Sequence, residues 1–296
     1  MRNVFPVCCS AKRDPERGFA TSPSFLVFIG FFLFLLQLFA SVVLAQNLVH
    51  DGRPSGELED CCANPLATLE IRILFEGPIP ERQYLDMGNH PDGKDKQILS
   101  EKMIVGNGGE IQNMVMYLDE RRTKVELPKI VMKEKEVSVR AENCRFIPHV
   151  FAMQAGQSVA FTNADPVGHN MNLMVFHNNA FSALIPAKSD KLYKLTKPEP
   201  VPIPVECNIH PWMRAYAVIT DHPYVGISNE RGLLQILHLP IGEVTFRMWH
   251  ENSVRYFDSG MLDGVPTDFQ RGRVTFDLKP GINAYTIRID ASKFKK

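Results

Sequence analysis

Apolar and polar residues alternate through most of the chain, and the alternation breaks every few positions at Gly, Pro, Asn or Asp. A period of two puts successive side chains on opposite faces of a pleated strand, so the pattern predicts many short β-strands and no long helices. Residues 69–75 alternate and stop at Gly77-Pro78, and polar residues 86–96 read as a loop. Residues 103–105 and 111–118 follow as strands around the turn Gly106-Asn107-Gly108-Gly109. A second set of strands, residues 137–140, 151–153, 158–161 and 215–220, includes the turn Ala155-Gly156-Gln157. A third set, residues 224–227, 233–237, 243–249, 273–278 and 284–289, has a tight connection at Leu239-Pro240-Ile241-Gly242. Strands of this length and spacing predict an all-β chain: a sandwich over residues 136–221, a β-rich segment before it (66–135) and a small C-terminal β-sandwich after it (222–296).

One stretch departs from this grammar. Residues 25–36 are uninterrupted apolar sequence, and the run extends to Ala45 with only Gln37 and Ser41 breaking it. Arg2, Lys12, Arg13 and Arg17 precede it, and Val43-Leu44-Ala45 offers a small-residue cleavage site before Gln46. Residues 1–45 therefore read as a secretory signal or as an uncleaved membrane anchor, since residues 25–45 are just long enough to span a bilayer. The basic flank stays cytoplasmic in both cases, so the rest of the chain is expected outside, in the periplasm or at the cell surface. Residues 46–65, with Cys61-Cys62, read as a polar tether.

Composition narrows the function classes. The chain has 33 basic and 33 acidic residues, so it lacks the basic excess of a nucleic-acid partner. Cysteines at 8, 9, 61, 62, 144 and 207 are too irregular for a disulfide scaffold, and none has the C-x-x-C spacing of a zinc or redox motif. Cys207 must be judged by its neighbours.

Those neighbours are chemically specific. Cys207-Asn-Ile-His210-Pro-Trp-Met213 places a thiolate, an imidazole and a thioether within one short loop. Two imidazoles, a thiolate and a weak axial thioether are the set that holds copper for electron transfer. The second imidazole is expected from His169, just after the strand at 158–161 and the turn Asn163-Ala-Asp-Pro166, at the same pole as the Cys207 loop. The predicted metal ligands are thus His169, Cys207, His210 and Met213. The other histidines, among them His90, His149, His177 and His250, carry no spacing that joins them to the metal and read as ordinary polar residues.

Here a resemblance enters. Phe146-Ile-Pro148, Gly156-Gln-Ser-Val159-Ala-Phe161-Thr-Asn163, His169-Asn170 and Cys207 to Met213 follow the order of motifs in the plastocyanin and amicyanin branch of the cupredoxins. The Cys-x-x-His-Pro-aromatic-Met form most resembles amicyanin. The resemblance implies an eight-stranded Greek-key sandwich with one type 1 (blue) copper at one end. It also implies His210 as the ligand nearest solvent, ringed by Met171, Pro211 and Trp212, and Asn170 tying the two ligand loops together. The arrangement as a whole resembles a planctomycete-type group of exported proteins, with a C-terminal domain similar to the carboxypeptidase regulatory (prealbumin-like) domain on Leu239-Pro-x-Gly242 and Trp249-His-Glu251.

Some residues depart from that pattern. Pro198, Pro200, Pro202 and Pro204 alternate before the ligand cysteine, so this strand is expected to lose pairing along one side. Glu206 and Asn208 flank the cysteine, and Cys144 sits two residues before Phe146 as a second thiol near the expected metal pole. The function expected is one-electron transfer by Cu(II)/Cu(I), with an unidentified redox partner protein. The alternative is a non-redox cell-surface binding or scaffold protein with a degenerate cupredoxin domain. Catalysis is not expected, since no two histidines are two residues apart as the His-x-His motifs of copper oxidases require.

Overall fold

A computed structural model describes residues 66–93 and 97–295. The expected signal or anchor at residues 1–45 and the tether with Cys61 and Cys62 lie outside the described residues. Among the described residues no helix is long and apolar enough to cross a membrane. The described residues are all-β, apart from one short 3-10 turn at Ala291–Lys293.

The alternation works out first at β1 (Ala67–Glu76). Leu69, Ile71 and Ile73 are buried on one face, while Glu70 and Arg72 turn outward. β1 pairs antiparallel with β13 (Leu233–Leu239) and parallel with β18 (Gly281–Asp290), in an unbroken ten-residue register from Ala67 to Glu76. β15 (Ser259–Leu262) and β16 (Val265–Asp268) complete this sheet. The facing sheet runs β12 (Val225–Ile227), β2 (Val115–Leu118), β14 (Gly242–Trp249), β17 (Arg273–Leu278). Leu69, Ile71, Met116, Phe246, Phe276 and Ile287 meet in the core between them. Segments 66–135 and 222–296, read separately in the sequence, therefore contribute strands to the same two sheets. Periodicity shows which face of a strand is buried but not which strand lies beside it, and β1 needs both neighbours to satisfy its backbone. Buried Asp119 adds a polar tie, accepting from Arg247 Nε at 2.8 Å and Arg273 Nε at 2.7 Å.

The intervening chain makes a second sandwich. One sheet is β4 (Arg145–Ile147), β3 (Glu136–Glu142), β6 (Ser158–Asn163), β9 (Asp190–Lys194). The other is β5 (Val150–Gln154), β11 (Arg214–Thr220), β10 (Ile203–Glu206), β7 (His169–Leu173), β8 (Phe181–Ile185). The chain passes repeatedly from one sheet to the other, as Greek-key connections do. It has nine strands, one more than the eight implied by the resemblance. Phe146, Phe161, Met171, Val205, Cys207 and Met213 share its core.

The two sandwiches stack through sheets that are apolar on both faces. On β11, Ala215, Ala217 and Ile219 face their own core, while Val218 and Tyr216 face outward with Val150 of β5. These meet Val115, Tyr117, Val225 and Trp249 from β2, β12 and β14. His149 Nε2 and the Glu251 carboxylate are hydrogen-bond partners buried beside this junction.

Two local expectations change, and a third holds. Residues 103–105 form no strand; Val105 makes a single bridge to Ile111, and Asn113 turns the chain at φ 65° before β2 begins. Ile111 and Met114 are nonetheless fully buried, so the apolar pattern there reported burial without regular pairing. In the proline-rich stretch only Pro204 enters a strand. β10 pairs with β11 over all four residues but with β7 only at Val205 and Glu206, the one-sided loss expected of prolines.

Candidate metal centre

Cys207 follows the inward parity of Ile203 and Val205 off the end of β10, which leaves its side chain buried. The loop then closes on itself. Met213 N–H donates to His210 O at 2.9 Å, and Cys207 N–H donates to Met213 O at 3.2 Å. His210 and Met213 are thereby returned to the sandwich interior, each about 1 % exposed or less. Two backbone N–H groups point at Cys207 Sγ, from His210 at 3.4 Å and from Asn170 at 3.3 Å. Asn170 therefore ties the two ligand segments together through its backbone. Its side-chain Nδ2 reaches Ser182 instead.

His169 is the first residue of β7 and is fully buried. Its placement depends on Asn163 at the end of β6. The Asn163 Nδ2 donates to Val167 O, Ile185 O and Pro186 O, and its Oδ1 accepts from Asp165 N–H at 2.9 Å, folding the turn that leads to the histidine. Asp165 then accepts from Asn143 N–H (2.7 Å) and Cys144 N–H (2.9 Å) and meets His169 Nε2 at 2.8 Å. Burial pushes the Asp165 carboxyl up, but these donors outweigh it and hold the group below the usual carboxylate range.

Three of the four predicted residues, His169, Cys207 and His210, converge. His169 Nδ1 lies 2.9 Å from His210 Nδ1, and His210 Nδ1 lies 3.6 Å from Cys207 Sγ. Both imidazoles present their other nitrogen to a carboxylate, His169 to Asp165 and His210 to Asp92 Oδ2 at 3.0 Å. The tautomer that donates Nε2–H to each aspartate would leave an Nδ1 lone pair on each ring, directed at the same point as the sulfur, as metal ligation requires. The separations fall below the roughly 4 Å that two metal–ligand bonds of about 2.0–2.3 Å can span. Imidazole nitrogen with thiolate sulfur suits a borderline or soft cation, so these residues fit copper. Met213 is packed in the same core cluster as Cys207.

Other expectations about this pole are corrected. His210 is not the ligand nearest solvent: it is fully buried. The His90 ring stands edge-on to it at 4.9 Å, and Trp212 lies at 5.2 Å from both rings. Met171 belongs to the core and not to an exposed ring; Pro211 is exposed and Trp212 half-buried. Cys144 is a second thiol near this pole, as expected, and is not bonded to Cys207. Cys144 is buried with its Sγ 3.9 Å from Asp92 O. Sequence reasoning missed Asp92, Asp165 and the covering role of His90. Asp165 carried a local signal, an acidic residue four before His169, whereas Asp92 stands 118 residues from His210 and carried none.

No family model matches this chain, and no curated protein does. Among solved structures, a copper-containing nitrite reductase from Thermus scotoductus is 19% identical over 34% of this chain, with a TM-score of 0.28. The match spans 26% of that reductase chain. An oxidised proline-to-alanine mutant of amicyanin is 17% identical over 29% of this chain and 82% of its own, with a TM-score of 0.26. A purple cupredoxin from Nitrosopumilus maritimus is 15% identical over 28% of this chain and 98% of its own, with a TM-score of 0.24.

Proposed function

We propose that this chain is a copper-binding electron-transfer protein, with His169, Cys207, His210 and Met213 as the ligands of one type 1 site. The observation that carries the reading is the convergence of two carboxylate-backed imidazoles on a buried cysteine sulfur. Copper bound there supplies a one-electron Cu(II)/Cu(I) couple. The chain's own part is to hold the donors in a fixed frame that suits both oxidation states and to exclude water. Asn163 and Asp165 fix the His169 loop, and the Met213–His210 and Cys207–Met213 backbone bonds fix the other. The redox partner is a protein that meets the chain outside the cytoplasmic membrane, where residues 25–45 export or anchor it. The other sandwich, read as prealbumin-like from Leu239-Pro-x-Gly242 and Trp249-His-Glu251, would act in docking or spacing.

A second reading has a specific observation behind it. His210 is covered, so a partner does not touch its ring, which suits a non-redox surface protein built on a degenerate cupredoxin unit. The visible spectrum of the full chain with added Cu(II), beside Cys207→Ser, separates the two. We expect an intense blue thiolate-to-copper band that ascorbate bleaches and the serine variant lacks. A colourless parent protein would overturn the electron carrier and favour the scaffold.

A further inference from the structure

We propose that Asp92 is a positioning residue that sets the reduction potential of the copper site, acting on His210 from a loop outside the sandwich that holds the ligands. The proposal rests on the copper reading above and deepens it.

The loop is anchored where it needs to be. Leu85 N–H donates to Ile98 O at 2.8 Å and Ser100 N–H to Gln83 O at 2.8 Å, while Leu85, Met87 and Ile98 pack on the core that contains Cys207. Two turns tighten its tip: His90 N–H donates to Met87 O at 3.2 Å and Gly93 N–H to His90 O at 3.0 Å. A side chain at Gly93 would have no room, since a Cβ there would come within 2.7 Å of Met87 Cβ. Between the turns, Asp92 N–H reaches His90 Nδ1 at 3.3 Å and Asp92 O accepts from the Cys144 thiol at 3.9 Å. Its backbone is thus held from two sides, and Asp92 Oδ2 meets His210 Nε2 at 3.0 Å.

The electronic consequence follows from charge. A carboxylate accepting the outer N–H of a ligating imidazole fixes the tautomer and ring plane and makes the ligand nitrogen a better donor. The stronger donor and the nearby negative charge both favour the more highly charged metal. Cu(II) therefore gains more than Cu(I), and the potential falls. The His90 ring and Trp212 cover the imidazole, so the ring is fully buried while the Asp92 side chain stays partly exposed.

The test is the full chain carrying Asp92→Asn, which keeps the shape and removes the charge. Asp86→Asn serves as control, since Asp86 is a carboxylate of the same loop that caps Gly88 N–H and does not touch His210. In Asp92→Asn the ratio of Cu(II) to Cu(I) affinity should drop about tenfold, a rise of about 59 mV for a one-electron couple. The blue band should persist, because all four ligands remain, and Asp86→Asn should leave the potential at the parent value. Spectroelectrochemistry reads the potential, and competition with a chelator reads each affinity. A blue Asp92→Asn protein with the parent potential, or equal shifts in both variants, overturns the role of Asp92 and leaves the copper reading standing. A parent without a blue band overturns both.

Discussion

At the scale of single residues, the molecule uses burial to set which groups carry charge. His250 is buried near the end of β14, with Nε2 donating to Gln112 O at 3.3 Å and Nδ1 accepting from Asn252 N–H at 3.2 Å. Burial pushes its pKa down to about 4, against an opposing pull from the Glu251 charge. The unfolded chain takes up a proton on this residue near 6.5 and the folded chain only near 4, so between those values the unfolded state binds more protons. Stability should therefore fall as pH drops from 6.5 towards 4, by about 1.4 kcal/mol per pH unit at the steepest, and the contribution should level off below 4. Urea midpoints at several pH values, for the parent and for His250→Gln, check this: the variant should show the shallower fall, and parallel curves would refute it. Glu199 works in the opposite chemical sense. Burial raises its carboxyl, but Asn178 and the N–H groups of residues 176–178 outweigh that and hold it low, which pins the proline-rich stretch to the 176–178 loop.

At the scale of elements, connections decide as much as strands do. The turn from β12 to β13 ends on Gly232, whose N–H donates to Asn229 O at 2.9 Å and whose carbonyl accepts from Ile73 N–H of β1 at 2.7 Å. Gly232 has φ +67°, and a Cβ there would meet Ile73 O at 2.5 Å. Glycine is required here both by the left-handed backbone and by the close approach of β1. Gly232→Ala should lower unfolding stability by about 2–3 kcal/mol, read from denaturant midpoints. A change below about 0.5 kcal/mol would mean that the turn relaxes at little cost. Strands with clear alternation, such as β1, β6, β14 and β17, were legible in the sequence. β8 and β9 were not, because Leu184 and Leu192 face outward and blur the period.

At the scale of the whole molecule, the apolar outer faces of β11 and β2 join two sandwiches that each have a core of their own. Val218 sits in that junction at 2 % exposure, against Val115, Val150 and Val225. The junction is small beside the two cores, yet it covers apolar positions of β2, β5, β11 and β12 that water would otherwise meet. We expect the parent chain to unfold as one cooperative unit. Val218→Asp buries an unpaired charge there, costs about 3–5 kcal/mol and should split the transition in two. Differential scanning calorimetry would show two endotherms in the variant. A single endotherm in both would mean that other contacts couple the sandwiches.

The all-β class and the candidate loop of Cys207, His210 and Met213 were legible in the sequence alone, because both are short-range properties. A period of two assigns faces to a strand by itself, and Cys207, His210 and Met213 share one loop. Tertiary structure decided which strands are neighbours, with β1 lying parallel to β18 across more than two hundred residues. It also decided the surroundings of the ligands, where Asp92 and His90 reach His210 from a distant loop. Hydrogen bonds and burial are satisfied by whatever the fold brings close, and local sequence holds no record of partners so far away.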